Sequence, residues 1–450
     1  MNIKLDSSVD DQLLKNHLYF TYSYELGEQT VKKLLPLVPS KGDRFYWCPP
    51  DEDCELLGIG ENLFDGQQDD MPSAIKRFSL EFSKSFLNVS SQKGRPLLFG
   101  GFPFDPNNLK EKIWSELESG YFILPSILFE RIGSKTQVVL TIRKEAATTR
   151  SLLKDFSYLD SLVSELLEVK EQSANVLVSS EELAVPTFLH NVDDARKEII
   201  HKATSLKKVV LARQLAIHGS FQSITQILHR LAEQQPQTYL FLLASNQLAF
   251  IGATPERLIQ GTKSHFMTAG IAGSAPRGST MQEDDEIGKE LLKDSKNTQE
   301  HGIVAQRLED QLANIVAGDV AVSSRRLLKN RDIQHLAMTF SGERKQGVSL
   351  IDAVELIHPS PALGGEPQRL ALQWIKDHEP FGRGLYGAPI GWVDPIEDVG
   401  EFAVGIRSGI LTETEGILYA GCGIVADSDS EAERQETLLK FQPMLRGVKG

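Results

Sequence analysis

Apolar runs in the first third of the chain are of two kinds. Some show the three-and-four-residue spacing that predicts amphipathic helices, and others are short, aromatic-rich and typical of strands. A strand pattern at 96–102 runs into a glycine turn. This part is therefore predicted to be α+β. The predicted strands are 18–24, Arg44–Cys48, 96–102, 122–129 and 137–142, the last two as an antiparallel pair, and the predicted helices are 74–87 and 152–171.

The pattern changes between residues 172 and 186, where Ser, Ala, Asn, Val and Glu follow one another without a clear period. We place a boundary here. It predicts an N-terminal part, 1–185, that completes the fold, and a catalytic part, 186–450. In the second part strands are short, glycines are frequent and polar residues stand in apolar runs, so the chemistry is expected there.

Two helices are predicted early in the catalytic part. One covers 195–205, where Asp193 or Asp194 is suited to cap its first turn. The other is a single long helix over 283–316. Glu300 falls on the apolar face of this long helix, because apolar residues follow it at intervals of four. A buried carboxylate there needs a cation or several hydrogen-bond donors, and a structural ion pair would satisfy it equally well.

The composition narrows the class of protein. The 450 residues are 41% hydrophobic and 24% charged, which is ordinary for a globular protein of two domains or one large composite fold. The net charge is −13, so we expect no general binding to nucleic acid. There is no apolar signal segment, no run long enough to span a bilayer and too few cysteines for a disulfide framework. We therefore expect a cytoplasmic protein without a membrane anchor.

Three charged residues stand beside apolar strand patterns. Lys208 begins the strand pattern at 207–213. It is either a solvated lysine or a lysine drawn inward, whose lowered pKa would suit a general base. Glu256 follows a Gly-Ala-Thr-Pro turn, as a first-turn helix residue or as an acid that protonates a leaving group. Arg407 ends the strand pattern at 402–406, as a structural residue or as a bidentate ligand of a substrate carboxylate.

Two further stretches consist mainly of small residues. The run 268–278 would let backbone N–H groups approach an anion closely, although a plain flexible loop has the same composition. The rigid turn 358–365 has two prolines and could line the wall of a pocket. The candidate residues in these stretches are Ala272, Gly273, Ser274, His358, Ala362 and Leu363.

A glycine-rich segment near the C-terminus leads into a helix that carries Glu433, Glu436 and Lys440. These three fall at i, i+3 and i+7 and hence on one face. Ser430 with Glu433 matches a capping box, which would account for Glu433 without any function. It does not account for Glu436. Glu300 and Glu436, from two helices, could together hold one Mg2+.

Several of these segments, in this order, resemble the chorismate-utilising enzymes. The likeness runs from about residue 192 to the C-terminus. It rests on the runs Ala-Gly-Ser-Ala-Pro-Arg-Gly (272–278), His-Pro-Ser-Pro-Ala-Leu-Gly-Gly (358–365) and Ala-Gly-Cys-Gly-Ile-Val (420–425). The resemblance implies a large α/β fold of the anthranilate synthase component I type, with two intertwined sheet-and-helix halves and the site between them. It also implies Mg2+ on Glu300 and Glu436.

Two positions separate the branches of this family. Anthranilate and aminodeoxychorismate synthases look different at Lys208, where they carry glutamine and use ammonia from a partner. Aminodeoxychorismate synthases also have a nucleophilic lysine where this chain has Ala272. The turn at 358–365 looks more like isochorismate synthases than salicylate synthases, and the long N-terminal part looks like the menaquinone-pathway type. We therefore expect no glutaminase subunit and a monomer that acts on chorismate.

The resemblance assigns roles as a hypothesis. Lys208 would activate the water that attacks C2, and Glu256 would protonate the departing 4-hydroxyl. Glu433 would hold metal-bound water or only cap its helix. A salicylate synthase, an amidotransferase large subunit and a non-enzymatic binding protein are the competing hypotheses. The groups that would fix the substrate carboxylates are Arg407, Lys440 and the backbone near Gly273, Gly421 and Gly423.

Overall fold

The computed structural model describes residues 3–27, 31–67, 70–108, 112–168, 177–201 and 205–449. Within these ranges the chain forms two large β-sheets with helices packed on their outer faces. The helices are α1 Asp11–Leu14, α2 Met71–Ser85, α3 Thr149–Glu168, α4 Val185–His201, α5 Ile224–Gln234, α6 Met281–Leu291, α7 Ser295–Ala313, α8 Leu350–Ile357, α9 Gln368–His378 and α10 Ser430–Lys449, with short 3-10 turns at Leu35–Leu37 and Lys112–Leu117.

The strands are mostly short and antiparallel. They are β1 Tyr19–Leu26, β2 Arg44–Cys48, β3 Cys54–Asn62, β4 Phe86–Asn88, β5 Leu98–Gly101, β6 Tyr121–Ile123, β7 Pro125–Ile132, β8 Lys135–Arg143, β9 Leu177–Glu182, β10 Lys208–Ser220, β11 Tyr239–Ser245, β12 Leu248–Thr254, β13 Arg257–Gly261, β14 His265–Pro276, β15 Val316–Val322, β16 Arg326–Lys329, β17 Ile333–Arg344, β18 Gly365–Glu366, β19 Pro389–Asp394, β20 Val399–Val404, β21 Ser408–Leu411 and β22 Glu415–Ile424.

Each sheet is built from both parts of the chain. The larger sheet runs β18-β10-β22-β21-β12-β11-β2-β3-β7-β8-β1-β4, with β9 on β10. The smaller sheet runs β15-β17-β14-β13-β20-β19-β5-β6, with β16 on β17. N-terminal β2 pairs with β11, and N-terminal β5 pairs with β19. The parts 1–185 and 186–450 are therefore intertwined, and the proposed division into parts stays a prediction.

The sheets pack face to face through aromatic side chains. The rings of Phe45, on β2, and Phe99, on β5, stack with centroids 4.8 Å apart. Phe241 and Phe250 join them in one buried cluster that takes residues from both sheets. Because β11 lies between two layers, all seven of its residues are buried, which explains its unbroken apolar run.

Two outer helices complete this arrangement. Helix α7 packs on β14 and β17 of the smaller sheet, and helix α10 packs on β22 of the larger sheet. These helices carry Glu300 and Glu436. No helix in the described ranges is long and apolar enough to cross a membrane.

The strand predictions agree with the structure except at one place. Arg44–Cys48 is a strand with the predicted bounds. The run 122–129, predicted as one strand, is divided between two sheets. Tyr121–Ile123 pairs within the smaller sheet, and Pro125–Ile132 pairs with Lys135–Arg143 in the larger one. A continuous apolar run cannot reveal such a crossing, because both of its halves are buried.

Two helix predictions and the predicted boundary need correction. The helix predicted over 195–205 spans Val185–His201, so Asp193 and Asp194 lie inside it and cap nothing. The long helix over 283–316 is two helices, because Asp294 accepts a hydrogen bond from the backbone of Asn297 and caps the second one. The boundary segment 172–186, which shows no clear period in the sequence, contains strand β9, and this strand pairs with β10. Residues 172–176 of this segment and residues 169–171 of the predicted helix 152–171 lie outside the described residues.

A fragment of residues 186–450 is expected not to fold alone. Without residues 1–185, strands β11 and β19 lose their partners β2 and β5, and their apolar faces become exposed. Circular dichroism and gel filtration of the fragment should show an unfolded or aggregated chain, and co-expression of residues 1–185 is the matched control. A monomeric fragment with native-like secondary structure would contradict the expectation.

Candidate active site

A cleft of about 640 Å³, open mouth included, lies where the two sheets meet. Its walls come from β10 and β22 of the larger sheet, β14 and β17 of the smaller sheet, and helices α7 and α10. The residues that line it are Val210, Pro255, Glu256, Ile271, Ala272, Gly273, Ser274, Glu300, His335, Ala362, Leu363, Tyr386, Ile406, Arg407, Ala420, Gly421, Cys422, Gly423, Glu436 and Lys440.

Lys208 is buried beneath this cleft. Its side chain is 0% exposed, whereas the neighbouring Lys207 is exposed. Its Nζ lies 2.9 Å from Glu300 Oε1, an ion-pair distance without the angles of a hydrogen bond. Strand β18 can lie against Lys208 because Gly365 has φ +133° and no Cβ, which would stand 2.2 Å from the Lys208 carbonyl oxygen. A solvated lysine is therefore the wrong interpretation of Lys208.

The chain crosses between the sheets at two adjacent places, and each crossing carries a charged candidate. Only Pro255 and Glu256 separate β12 in the larger sheet from β13 in the smaller one. Three residues, ending in Arg407, separate β20 from β21. Two backbone hydrogen bonds connect the crossings. Val404 N donates to Glu256 O (2.9 Å), and Ala253 N donates to Arg407 O (3.2 Å). Glu256 and Arg407 are thus fixed side by side by the backbone.

Glu256 is in the environment that a carboxylic acid donor needs. It begins no helix, so the helix-start interpretation is wrong. Burial raises the pKa of Glu256 to about 8, against the opposing charges of Lys208, Arg407 and Lys440. Glu256 is therefore largely protonated at neutral pH.

Arg407 is a buried cation that forms no ion pair with a carboxylate of the described residues. Burial lowers its pKa, and among the described residues no carboxylate lies within ion-pair distance of it. Its Nη2 lies 3.1 Å from Nε2 of His335. Burial, with the charges of Arg407 and Lys440, holds the pKa of His335 well below its usual range, so the ring is neutral and its Nε2 accepts from Arg407. A buried guanidinium with a neutral partner is suited to an anionic ligand.

The run 268–278 is mostly strand β14, so the flexible-loop interpretation is wrong. A β-bulge shifts its register between Ala272 and Ser274, and Gly273 there has φ +72°. The backbone N–H of Ser274 donates to Asn297 Oδ1 (2.9 Å), and Ser274 Oγ lies 2.9 Å from Nδ1 of His335. At this bulge, the Ser274 hydroxyl therefore contacts His335, which also lines the cleft. The Ser274 N–H is already bonded to Asn297.

On helix α10, Glu436 and Lys440 form an ion pair with 2.5 Å between Oε1 and Nζ, and Lys440 Nζ also donates to Gly421 O (2.7 Å). Burial works to raise the pKa of Glu436, but the charge and hydrogen bond of Lys440 outweigh it and lower that pKa. Glu436 is therefore charged.

The capping box predicted for this helix is wrong. Asp429 accepts the hydrogen bond from the backbone of Ala432, so it and not Ser430 caps the helix. The Glu433 side chain is 2% exposed and instead pairs with Lys296 (2.7 Å). Burial and the charge of Glu436 raise the pKa of Glu433.

The carboxylates of the cleft provide part of a site for a metal ion. Among the described residues, no three His, Cys, Asp or Glu side chains are grouped closely enough to hold one. Glu300 and Glu436 nevertheless line the same cleft. The absence of a side chain at Gly423 leaves room for Glu300, because a Cβ there would stand 2.3 Å from Glu300 Oε1. Two carboxylates with space for water fit Mg2+, which keeps several waters.

The structure brings together most of the predicted site residues. Ala362, Leu363, Gly421 and Gly423 line the cleft as expected. His358 does not line it, because its Nε2 lies 3.1 Å from the carbonyl oxygen of Phe104, and burial lowers its pKa to about 4. We correct His358 to a packing residue behind the turn.

Among the lining residues that were missed from the sequence are His335 and Tyr386. His335 lies within the apolar strand β17, a weak signal by itself. Tyr386 stacks on Tyr419 with ring centroids 5.0 Å apart, and nothing near it in the sequence marks it.

Within the described residues, the cleft combines a buried acid, a buried lysine, an arginine without a carboxylate partner and two carboxylates, a set typical of enzymes that act on small anionic substrates. The family described as chorismate binding enzyme matches residues 10–449. The chain therefore belongs to the chorismate-binding enzyme family. The predicted resemblance and fold class are confirmed.

Individual proteins agree with this assignment. Isochorismate synthase MenF of Bacillus subtilis is 33% identical over 422 residues, 91% of this chain and 88% of that protein. The salicylate biosynthesis isochorismate synthase of Pseudomonas aeruginosa is 30% identical over 78% of this chain and 73% of its own length. In fold, the chain is similar to the menaquinone-specific isochorismate synthase MenF from Escherichia coli (TM-score 0.78, 22% identity, 97% of both chains). It is also similar to anthranilate synthase component I from Streptococcus pneumoniae (TM-score 0.68, 19% identity, 98% and 94%).

Gly423→Ala is expected to destabilise the protein, because its Cβ would overlap Glu300 Oε1 and stand 2.7 Å from Lys208 Cε. Overpacking of this kind costs about 1–3 kcal/mol in the free energy of unfolding. Gly302→Ala is the matched control, since a Cβ at this position of helix α7 meets nothing within 4 Å. Denaturant unfolding of both variants checks the expectation, and equal stabilities would contradict it.

Proposed function

We propose that the chain converts chorismate into isochorismate with Mg2+ bound at Glu300 and Glu436. The observation that carries the proposal is the burial of Lys208 and Glu256 at one cleft, which provides a base and an acid for the two proton transfers of this isomerisation. The relatives named isochorismate synthase support it, and those named MenF favour the menaquinone pathway.

Chorismate is a dianion with an allylic 4-hydroxyl group. Lys208 takes a proton from a water molecule while the oxygen of that water bonds to C2. Glu256 gives its proton to the 4-hydroxyl group, which leaves as water. The ring double bonds shift at the same time. One water enters and one leaves, so the product has the mass of the substrate. Because a base must be neutral, Lys208 has to give up its ion pair with Glu300 before it acts.

The remaining cations hold the substrate. Arg407, buried without a carboxylate partner, is placed to bind one substrate carboxylate in bidentate fashion. Lys440, held by Gly421 O, is placed for the other. Mg2+, when bound, supplies a Lewis acid that binds the ring carboxylate and withdraws charge.

Further parts of the proposal concern partners. The nucleophile is water activated by Lys208, so the reaction requires neither ammonia nor a glutaminase subunit to supply it. The monomeric state and the cytoplasmic location stay predictions.

Incubation of the purified protein with chorismate and Mg2+, without ammonia, tests the function. The expected product is isobaric with chorismate by mass spectrometry and disappears when a chelator removes Mg2+. Salicylate with an equal amount of pyruvate would identify a salicylate synthase. A reaction that starts only when ammonia is added would contradict the role of Lys208.

Lys208→Ala and Glu256→Gln are each expected to lower kcat roughly 100-fold or more, the usual effect of losing a general base or acid. Lys207→Ala, one position away and exposed, should keep the activity and is the matched control. Steady-state kinetics measures all three. Near-normal kcat in either active-site variant would remove its assigned role.

The activity is expected to decline as pH rises through about 8, because the proton that Glu256 must donate is lost there. Lys208, Arg407 and Lys440 face this carboxyl and oppose the rise in its pKa. The acid is present below its pKa, so the decline lies on the alkaline side of the kcat/KM profile. The profile of Glu256→Gln should lack this decline. An identical alkaline decline in that variant would assign it to another group.

A further inference from the structure

Lys296 and Glu433 form a buried ion pair for which the proposed mechanism has no use. Lys296 Nζ lies 2.7 Å from Glu433 Oε1, and the two side chains are 29% and 2% exposed. They come from different helices and are 137 positions apart in the chain. The pair is therefore a product of the tertiary fold.

This pair lies one helical turn from both proposed metal carboxylates. Lys296 precedes Glu300 by four residues on α7, and Glu433 precedes Glu436 by three on α10. Residues at these spacings share a helix face. The Lys296–Glu433 pair is thus next to the Glu300–Glu436 pair, although neither of its members lines the cleft.

Each of the three neighbouring carboxylates has its own lysine. Lys208 pairs with Glu300 and Lys440 with Glu436, and both of these lysines have work in the proposed reaction. Lys296 has none. Its charge nevertheless acts on any cation bound at Glu300 and Glu436, since the interaction of buried charges extends beyond contact distance.

We propose that Lys296 sets the Mg2+ affinity of the site by keeping Glu433 out of the coordination shell. The ion pair holds Glu433 outside the cleft that Glu300 and Glu436 line, so Mg2+ meets two carboxylates there and not three. Metal affinity rises with the number and charge of carboxylate ligands, so a free Glu433 would hold Mg2+ more tightly. The inference rests on the proposed Mg2+ site at Glu300 and Glu436.

The proposal predicts a cycle of three variants. Lys296→Met frees Glu433 and should lower the Kd for Mg2+ at least about tenfold, because a third carboxylate becomes available. Glu433→Gln leaves Lys296 as an uncancelled cation and should raise the Kd by about as much. The double variant removes both charges together and should return to within about threefold of the unmodified protein.

Calorimetric titration of Mg2+ alone into the metal-free, full-length protein measures these constants. Lys293→Met, which removes an exposed lysine three positions away, is the matched control and should change nothing. Thermal unfolding confirms that each variant is folded. If the Lys296→Met protein does not fold, the double variant still decides, because it leaves no unpaired buried charge.

The outcomes separate the inference from the function it rests on. Absence of Mg2+ binding in the unmodified protein would remove the proposed metal site. Binding that Lys296→Met leaves unchanged or weakens would overturn the inference alone. A double variant with much weaker binding would also overturn it, because Glu433 would then be a direct ligand.

Discussion

The structure depends on the two adjacent crossings of the chain between its sheets. At one crossing the backbone presents Glu256, and at the other it presents Arg407, and hydrogen bonds from Val404 and Ala253 tie the two together. A residue between two packed sheets is removed from water on both sides. The same constraint that closes the core therefore raises the pKa of an acid and buries a cation without a carboxylate partner.

The charges around the cleft are arranged so that each is either paired or available. Glu300 and Glu436 are neutralised by lysines. Among the described residues, the guanidinium of Arg407 is bonded to a neutral imidazole and forms no ion pair with a carboxylate. The proposed dianionic substrate and Mg2+ would together bring no net charge, so binding both would change the electrostatic balance of the site little.

The local sequence pattern predicted which residues belong to the site, but not which of them contact one another. The strand that carries Lys208, the small residues of β14 and the common face of Glu433, Glu436 and Lys440 follow from spacing within one element. The family resemblance added the chemistry. The partner of Glu433 could not be found in this way, because Lys296 lies on another helix and a capping box explains the same residues locally. His335 was missed for the same reason, since only tertiary packing brings it to Arg407.

Because α10 lies near the C-terminal end of the sequence, the cleft is completed late in synthesis. Lys208 is made more than two hundred residues before Glu436, and β10 pairs with β22, which leaves the ribosome just ahead of α10. Until those last segments emerge, β10 lacks its neighbour β22 and the cleft lacks a wall. Domains fold as units once their segments are available. The newly made chain therefore carries an incompletely paired β10 until β22 is made, and the cleft is complete only when the final helix docks.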